Sequence, residues 1–201
     1  ITFAARKPCH VFAPAADLCG VTEVVPIGLK AEALSFDGRR PPLFEIEAAD
    51  ARAAFPRRPL DSHKGTFGHV LVVAGSSGKA GAALLAARGA FRAGAGLVTI
   101  ASTTEVCRIA TAAQPEVMTV ALGEAAECGD IPRAVTKLAD TLSGVDAVVL
   151  GPGLGRGEKT QDFALDVAAR CGRPVVIDAD GLFALRAQTM SRISQRDQPT
   201  V

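Results

Sequence analysis

The sequence predicts an α/β domain with a mostly parallel sheet and helices on both faces, and three observations carry that reading. Short runs rich in Val and Leu recur at His69–Ala74, Leu97–Ala101, Val117–Leu122, Val145–Leu150 and Pro174–Ile177, the composition of strands buried on both sides. Helical stretches fall between those runs, and strands joined through helices form parallel sheets. Two glycine-rich loops, Gly75–Gly81 and Gly151–Gly157, each follow such a strand directly, and Asp178-Ala179-Asp180 closes another. Ligands of open parallel sheets sit beyond the carboxyl ends of the strands, so all three special segments fall on the rim where a site belongs.

The stretch from Lys64 to Ser102 organises the rest. After the strand at His69–Ala74, the loop Gly75–Gly81 packs three glycines and two serines into seven positions. A backbone so poor in side chains suits either a sharp turn or close approach to a ligand. Ala82–Gly94 then reads as a helix: alanine-rich, Leu84 and Phe91 seven apart on one face, Arg88 and Arg92 on the wet face. Gly94 and Gly96 stop it, and the strand Leu97–Ala101 completes a βαβ unit. A glycine loop feeding a helix N-terminus offers unpaired amides to an anion, but a tight turn explains the same residues equally well. Neither common nucleotide fingerprint is present. Gly78-Lys79 is followed by Ala80 and so is not a Walker A, and Ser77 stands where G-x-G-x-x-G needs its second glycine.

Further along, Thr103–Thr111 is expected to be helical, with Ser102, Thr103 or Thr104 as cap and Glu105 in the first turn. Gln114-Pro115-Glu116 ends that helix, and Ile131–Leu142 and Glu158–Cys171 are the next two. The loop Gly151–Gly157 also misses G-x-G-x-x-G, because Arg156 occupies the last glycine position; its four glycines exceed what one turn needs. For the acidic pair, the commoner use is structural: Asp180 as N-cap of a helix starting near it, and Asp178 bonding loop amides.

Before Ser62 the chain reads differently. Ile1–Ala5 and Val21–Ile27 are strand-like pieces joined by a loop containing Pro8, Pro14 and Gly20. From Lys30 onward come Pro41-Pro42, Glu45 and Glu47, a short alanine-rich helix near Ala48–Phe55, then Pro56 and Pro59, the pattern of an inter-domain linker. Arg39-Arg40 and Arg57-Arg58 read as solvated charges. The expected division is 1–29, 30–61 and 62–201.

Composition bounds the function. With 48% apolar and 21% charged residues over 201 positions, there is ample core for a globular domain. A net charge of +1 and the absence of Trp and Tyr argue against nucleic-acid binding. No apolar run approaches the ~18 residues of a membrane span, and the run after Arg6 and Lys7, cut by Pro14 and Asp17, is too short for a signal peptide. Five scattered cysteines (Cys9, Cys19, Cys107, Cys128, Cys171) without a C-x-x-C argue against a metal site or disulfide framework and fit a cytoplasmic protein. Both ends, at Ile1 and at Gln198–Val201, read as interrupted strands.

Taken together, His63-Lys64-Gly65, Gly68-His69, Gly81-Ala82, Arg92-Ala93-Gly94-Ala95-Gly96-Leu97-Val98, Pro115-Glu116, Gly151-Pro152-Gly153-Leu154-Gly155 and Asp178-Ala179-Asp180 resemble the NAD(P)H-hydrate dehydratases, repair enzymes with a ribokinase-like fold. The order and spacing of these pieces, from about Ser62 to Val201, are far more specific than either loop. Thr2-Phe3, Lys7-Pro8, Cys19-Gly20 and Ile27-Gly28 resemble the tail of an NAD(P)H-hydrate epimerase domain, and epimerase followed by dehydratase is the order of the bacterial bifunctional repair enzymes.

The resemblance implies a nucleotide-dependent dehydration of the S hydrate of NADH or NADPH. ADP or ATP, with magnesium, phosphorylates the hydrate hydroxyl, and phosphate then leaves. The epimerase part, which interconverts R and S hydrates, implies K+, and the complete enzyme implies a homo-oligomer. By position, Ala82 and Gly153, with Gly81 and Gly155 beside them, are the implied substrate-binding residues. The family's histidine-proline-glycine-glutamate stretch and its glycine-rich segment with the catalytic aspartate would both follow Val201. The chain is therefore expected to hold a ribokinase-like domain truncated at its C-terminus, inactive alone, with no catalytic residue or metal ligand assigned to it and no such role for His10, His63 or His69. Two other readings share the loops: a ribokinase-fold kinase of a small alcohol or vitamin precursor, and a nucleotide-binding module without catalysis.

Overall fold

The computed structural model describes residues 1–30, 46–55, 57–123, 131–186 and 189–201, with side chains left out at 131–133 and 135–137. The chain divides into two compact units, Ile1–Pro56 and Arg57–Val201. Arg39-Arg40, Pro41-Pro42, Glu45, Pro56 and Cys128 lie outside the described residues.

In the first unit, β1 (Thr2–Phe3) pairs in parallel with β2 (Val24–Val25). The connection expected as a loop contains a 3-10 turn at Pro8–His10 and a short helix, α1 (Ala15–Cys19). Pro14 precedes that helix at the position where a fixed φ starts a helical turn cheaply, so proline here opens an element. The exposed helix α2 (Ala48–Ala54) follows.

The second unit is a five-stranded parallel sheet made of β3 (His69–Val73), β4 (Leu97–Thr103), β5 (Met118–Gly123), β6 (Ala147–Leu150) and β7 (Val175–Ile177). The helices are α3 (Ala80–Ala93), α4 (Thr104–Ala113), α5 (Ile131–Leu142), α6 (Glu158–Arg170) and α7 (Met190–Ser194). Strand order is β5-β4-β3-β6-β7. From β3 the chain walks outward through β4 and β5, then returns to the other side of β3 for β6 and β7. The order reverses between β3 and β6, and that switch point is where an open sheet leaves a crevice.

The alternation of each strand assigns the layers. Val72, Ala74, Val98 and Ile100 pack with Ala83 and Ala87 of α3 and Val106 and Ala110 of α4. Leu71, Val73, Val148 and Leu150 turn to the opposite face, against Leu138 of α5 and Phe163, Ala164 and Val167 of α6. Helices change face where the chain changes direction, as a single hand of crossover requires. Leu71, Val72, Val73 and Ala74 are fully buried, as their two-sided apolar pattern demands.

Local signals set the ends of the elements. Thr103 caps α4, its Oγ1 accepting from the Val106 amide at 3.3 Å, with Glu105 in the first turn. Gly94 ends α3 in the left-handed conformation, φ 111°. Arg58, expected to be merely solvated, donates through Nη2 to the Gly94 carbonyl at 2.6 Å and stacks on Phe67. At the amino edge of the sheet a Cβ on Gly96 would lie 1.7 Å from the Lys64 carbonyl oxygen, so only glycine fits there. Residues 199–201 run parallel along the outer edge of β7, where Val175 N donates to Pro199 O and Ile177 N to Val201 O. Where a strand was expected at Gln198–Val201, the structure shows a single parallel bridge, Val175 to Thr200.

Candidate functional site

Both glycine loops leave the carboxyl ends of β3 and β6, the two neighbours that flank the switch point. They are laced together there. The Gly75 amide donates to the Pro152 carbonyl at 2.8 Å, the Ser76 hydroxyl to the Gly153 carbonyl at 2.7 Å, and the Gly151 amide to Val73 O at 3.0 Å. Ser76 is buried, and Leu154 plants the second loop in the α6-side core.

The glycines divide by what surrounds them. Gly75 (φ +81), Gly151 (φ +123) and Gly153 (φ +67) have left-handed backbones and no room. A Cβ on Gly151 would strike the Asp178 carbonyl oxygen at 2.1 Å, and one on Gly153 would meet Ala82 Cβ at 2.8 Å and Lys79 Cβ at 3.2 Å. Ala82 and Gly153 are therefore in contact with each other, and the smallness of each admits the other loop. Gly81 and Gly155 differ: nothing lies within 4 Å of a Cβ at either. Gly81 stands in the first turn of α3, an end that favours an anion, although the Ala82 amide there already donates to the Lys79 carbonyl at 3.1 Å. Of the four predicted substrate-binding residues, Ala82 and Gly153 form the seam and Gly81 and Gly155 the open surface beside it.

Asp180 fastens this rim. Its carboxylate is buried, yet it meets three donors: Arg156 Nε at 2.8 Å on Oδ1, and the Gly155 amide at 3.0 Å and Lys79 Nζ at 3.3 Å on Oδ2. The Arg156 guanidinium first, and then the Gly155 amide and Lys79, hold its pKa below the usual carboxylate value against the opposing effect of burial. Arg156 also lies over the Phe183 ring, 3.8 Å from its centroid. The structure reverses the expected roles of the acidic pair. Asp178 occupies the cap position of the 3-10 turn Ala179–Ala184 but makes no side-chain cap bond. Asp180, inside that turn, is the one that bonds a loop amide. The segment after β7 is short and 3-10, so its second residue rather than its first points back to the loops.

Lys79, Arg156 and Phe183 were not singled out from sequence as site residues. A usable signal existed, since one cation stands in each glycine loop and an acid follows the next strand.

The three histidines are engaged elsewhere. His63 caps the turn Lys64–Phe67, accepting from the Gly65 amide, and His10 accepts from the Lys7 amide. His69, at the amino end of β3, bonds Thr99 Oγ1 at 2.7 Å and faces the Gly144 carbonyl. Among the described residues no three His, Cys, Asp or Glu side chains converge as metal ligands. A hollow of ≈ 450 Å³ lies away from the loops beside Thr104, Cys107 and Thr119, where burial pushes the Cys107 thiol up. Another, of ≈ 370 Å³, opens beside Arg156, Glu158 and Gln161. Neither is lined by Ala82 or Gly153, so the assignment of the site rests on the loops and the switch point.

The architecture is an open parallel α/β sheet whose switch point carries two glycine loops, each opening a helix. A solved ribokinase-like superfamily protein from Enterococcus faecalis shares the fold, with a TM-score of 0.53 at 23% identity over 69% of this chain and 52% of that one. The chain belongs to the NAD(P)H-hydrate dehydratase family, whose profile matches residues 70–201. The bifunctional NAD(P)H-hydrate repair enzyme Nnr of Moorella thermoacetica is 41% identical over 94% of this chain, which spans 35% of that enzyme. The chain thus spans about a third of the length of curated relatives such as this one. An ADP/ATP-dependent NAD(P)H-hydrate dehydratase from Bacillus subtilis, co-crystallised with ATP and Mg2+, superposes with a TM-score of 0.55 at 28% identity, over 76% of this chain and 49% of that one.

Proposed function

We propose that this chain supplies the substrate-binding half of a nucleotide-dependent (S)-NAD(P)H-hydrate dehydratase fused to an NAD(P)H-hydrate epimerase. The observation that carries the reading is the seam of Ala82 and Gly153 at the switch point, flanked by the open surfaces of Gly81 and Gly155, in a chain of this family. In this reading the hydrated nicotinamide ribotide lies along that surface. The first turn of α3 faces its phosphate, and the glycine backbone lets the ring approach closely. ADP or ATP phosphorylates the hydrate hydroxyl, and phosphate departs as the ring double bond re-forms. Residues 1–29 are the tail of the epimerase domain, which takes K+, 30–61 is the linker, and 62–201 is the amino-terminal part of the dehydratase domain. The complete enzyme is a cytoplasmic homo-oligomer. No described helix is long and apolar enough to cross a membrane.

Magnesium does not find a cage among these residues. Both Asp180 oxygens are taken by cationic and amide donors, and among the described residues no three His, Cys, Asp or Glu side chains converge as ligands. The ion belongs with the nucleotide phosphates, as is usual for this small hard cation.

The test is recovery of reduced-nicotinamide absorbance from NADH or NADPH hydrate by the complete protein, with ADP or ATP and magnesium. Turnover of the S form that stops when nucleotide is omitted is the expected result. Phosphorylation of a small alcohol with no action on the hydrate would refute the reading.

A further inference from the structure

We propose that Arg156 and Lys79, drawn together by Asp180, form a ledge that binds a phosphate group at the mouth of the loop seam. The inference rests on the dehydratase reading for the identity of the ligand but not for the existence of the ledge.

Asp180 joins two cations, so this three-group cluster by itself carries one positive charge, with Glu158, Asp162 and Arg186 lining the hollow on the Arg156 side. The acid is buried, with 9% of its side chain exposed, whereas Lys79 keeps 50% and Arg156 61%. Both cations therefore still reach solvent. The geometry of Asp180 is that of a bracket. Asp180 engages Arg156 through Nε alone, and Phe183 supports one face of the guanidinium. The two terminal amino groups of Arg156 have no hydrogen-bond partner among the described residues, and Lys79 uses one of its three donors. A planar fork fixed at its base with its tip free is the form in which arginine recognises phosphate in bidentate fashion. The same bracket holds the Gly155 amide, so the open backbone of Gly155 lies beside the ledge. Glu158 and Asp162 share the hollow that Arg156 lines. An anion is therefore expected on the Lys79 side, next to Gly81 and the first turn of α3.

Three phosphates could come to the ledge: the diphosphate of the dinucleotide, the 2′-phosphate of the NADPH form, or the donor nucleotide. Binding of inorganic pyrophosphate to the complete protein, measured by calorimetry, tests the ledge without reference to turnover. Arg156→Gln should weaken it about tenfold and Lys79→Gln by less, with Arg156→Lys recovering part of the loss, as expected for charge-assisted bonds. Equal affinity in wild type and both Gln variants overturns the proposal. Steady-state arms then assign the source. An Arg156→Gln rise in KM for both hydrates identifies the diphosphate, a rise for NADPH hydrate alone the 2′-phosphate, and a rise for ADP or ATP alone the donor. Should kcat alone fall, with every KM and the pyrophosphate affinity unchanged, Arg156 is a structural brace and the ledge is wrong. If wild type ignores the hydrate yet binds pyrophosphate through Arg156, the dehydratase reading fails and the ledge stands.

Discussion

Single residues on the rim separate packing from ligand contact. Gly81→Ala adds a methyl group that touches nothing and replaces glycine in a helix, so thermal stability should hold or rise by up to ~1 kcal/mol. If the substrate lies along α3, the same change should raise KM for the hydrate several-fold. Unchanged KM would remove the first turn from the site. Gly153→Ala is the converse, because its methyl group would collide with Ala82 at a positive φ. Such a change costs ~1–3 kcal/mol and should lower the melting temperature before any kinetic argument can be made. Asp180 gives a pH signature. Its pKa is lower folded than unfolded, so its stabilisation is complete above the unfolded value near ~4 and is lost as pH falls through the folded value. The stability gap between wild type and Asp180→Asn should accordingly be widest near neutrality and shrink in acid. A gap that stays constant down to pH ~3 would contradict the bracket. The loops were legible in the sequence, since Gly75 and Gly151 each end a Val/Leu run. The bracket was not, because Lys79, Arg156 and Asp180 are remote in sequence and meet only once β3, β6 and β7 are adjacent.

Among the elements, the residues that carry the family resemblance divide between the two edges of the sheet. Gly81-Ala82, Gly151–Gly155 and Asp178–Asp180 stand on the carboxyl rim. His63–Gly68 and Gly94–Gly96 stand on the amino edge, where the Gly96 amide donates to Phe67 O and Gly68 O. The second group is scaffold. Gly96→Ala should destabilise the domain by at least ~1–3 kcal/mol, because the opposing atom is a backbone oxygen that cannot rotate away. The folded fraction should nonetheless bind substrate as before. Loss of binding in molecules that remain folded would move this edge into the site. Strand and helix order was readable from the two-sided apolar runs, and α5 matches its expected span, Ile131–Leu142. Helix α1 was missed because five residues beside a proline have too little periodicity to register. The segment after β7 was expected to be an ordinary helix and is a 3-10 turn, too short a stretch for sequence to tell the two apart.

At the scale of the whole molecule, the proposed reaction sets requirements that the described sheet can be checked against. Phosphoryl transfer to a hydroxyl needs a base within reach of that hydroxyl and a cradle for the nucleotide phosphates. On the carboxyl rim the titratable side chains beside the loops include Lys79, Arg156, Asp178 and Asp180. Asp180 cannot serve as a base while Arg156, Lys79 and the Gly155 amide fill its oxygens and lower its basicity. His69 is at the far end of β3, where Thr99 and Gly144 engage its ring. Residues 199–201 lie along the outer edge of β7, bonded to Val175 and Ile177. We therefore expect residues 1–201 expressed alone to bind the nicotinamide hydrate weakly and not to dehydrate it, whereas the complete protein does so with nucleotide and magnesium. Arg88→Ala, on the outer face of α3 against Gln114, should leave the complete protein's turnover unchanged. Robust nucleotide-dependent turnover by the 201-residue chain would show that its own rim holds the base, and Asp178, whose carboxylate makes no cap bond, would become the first residue to mutate.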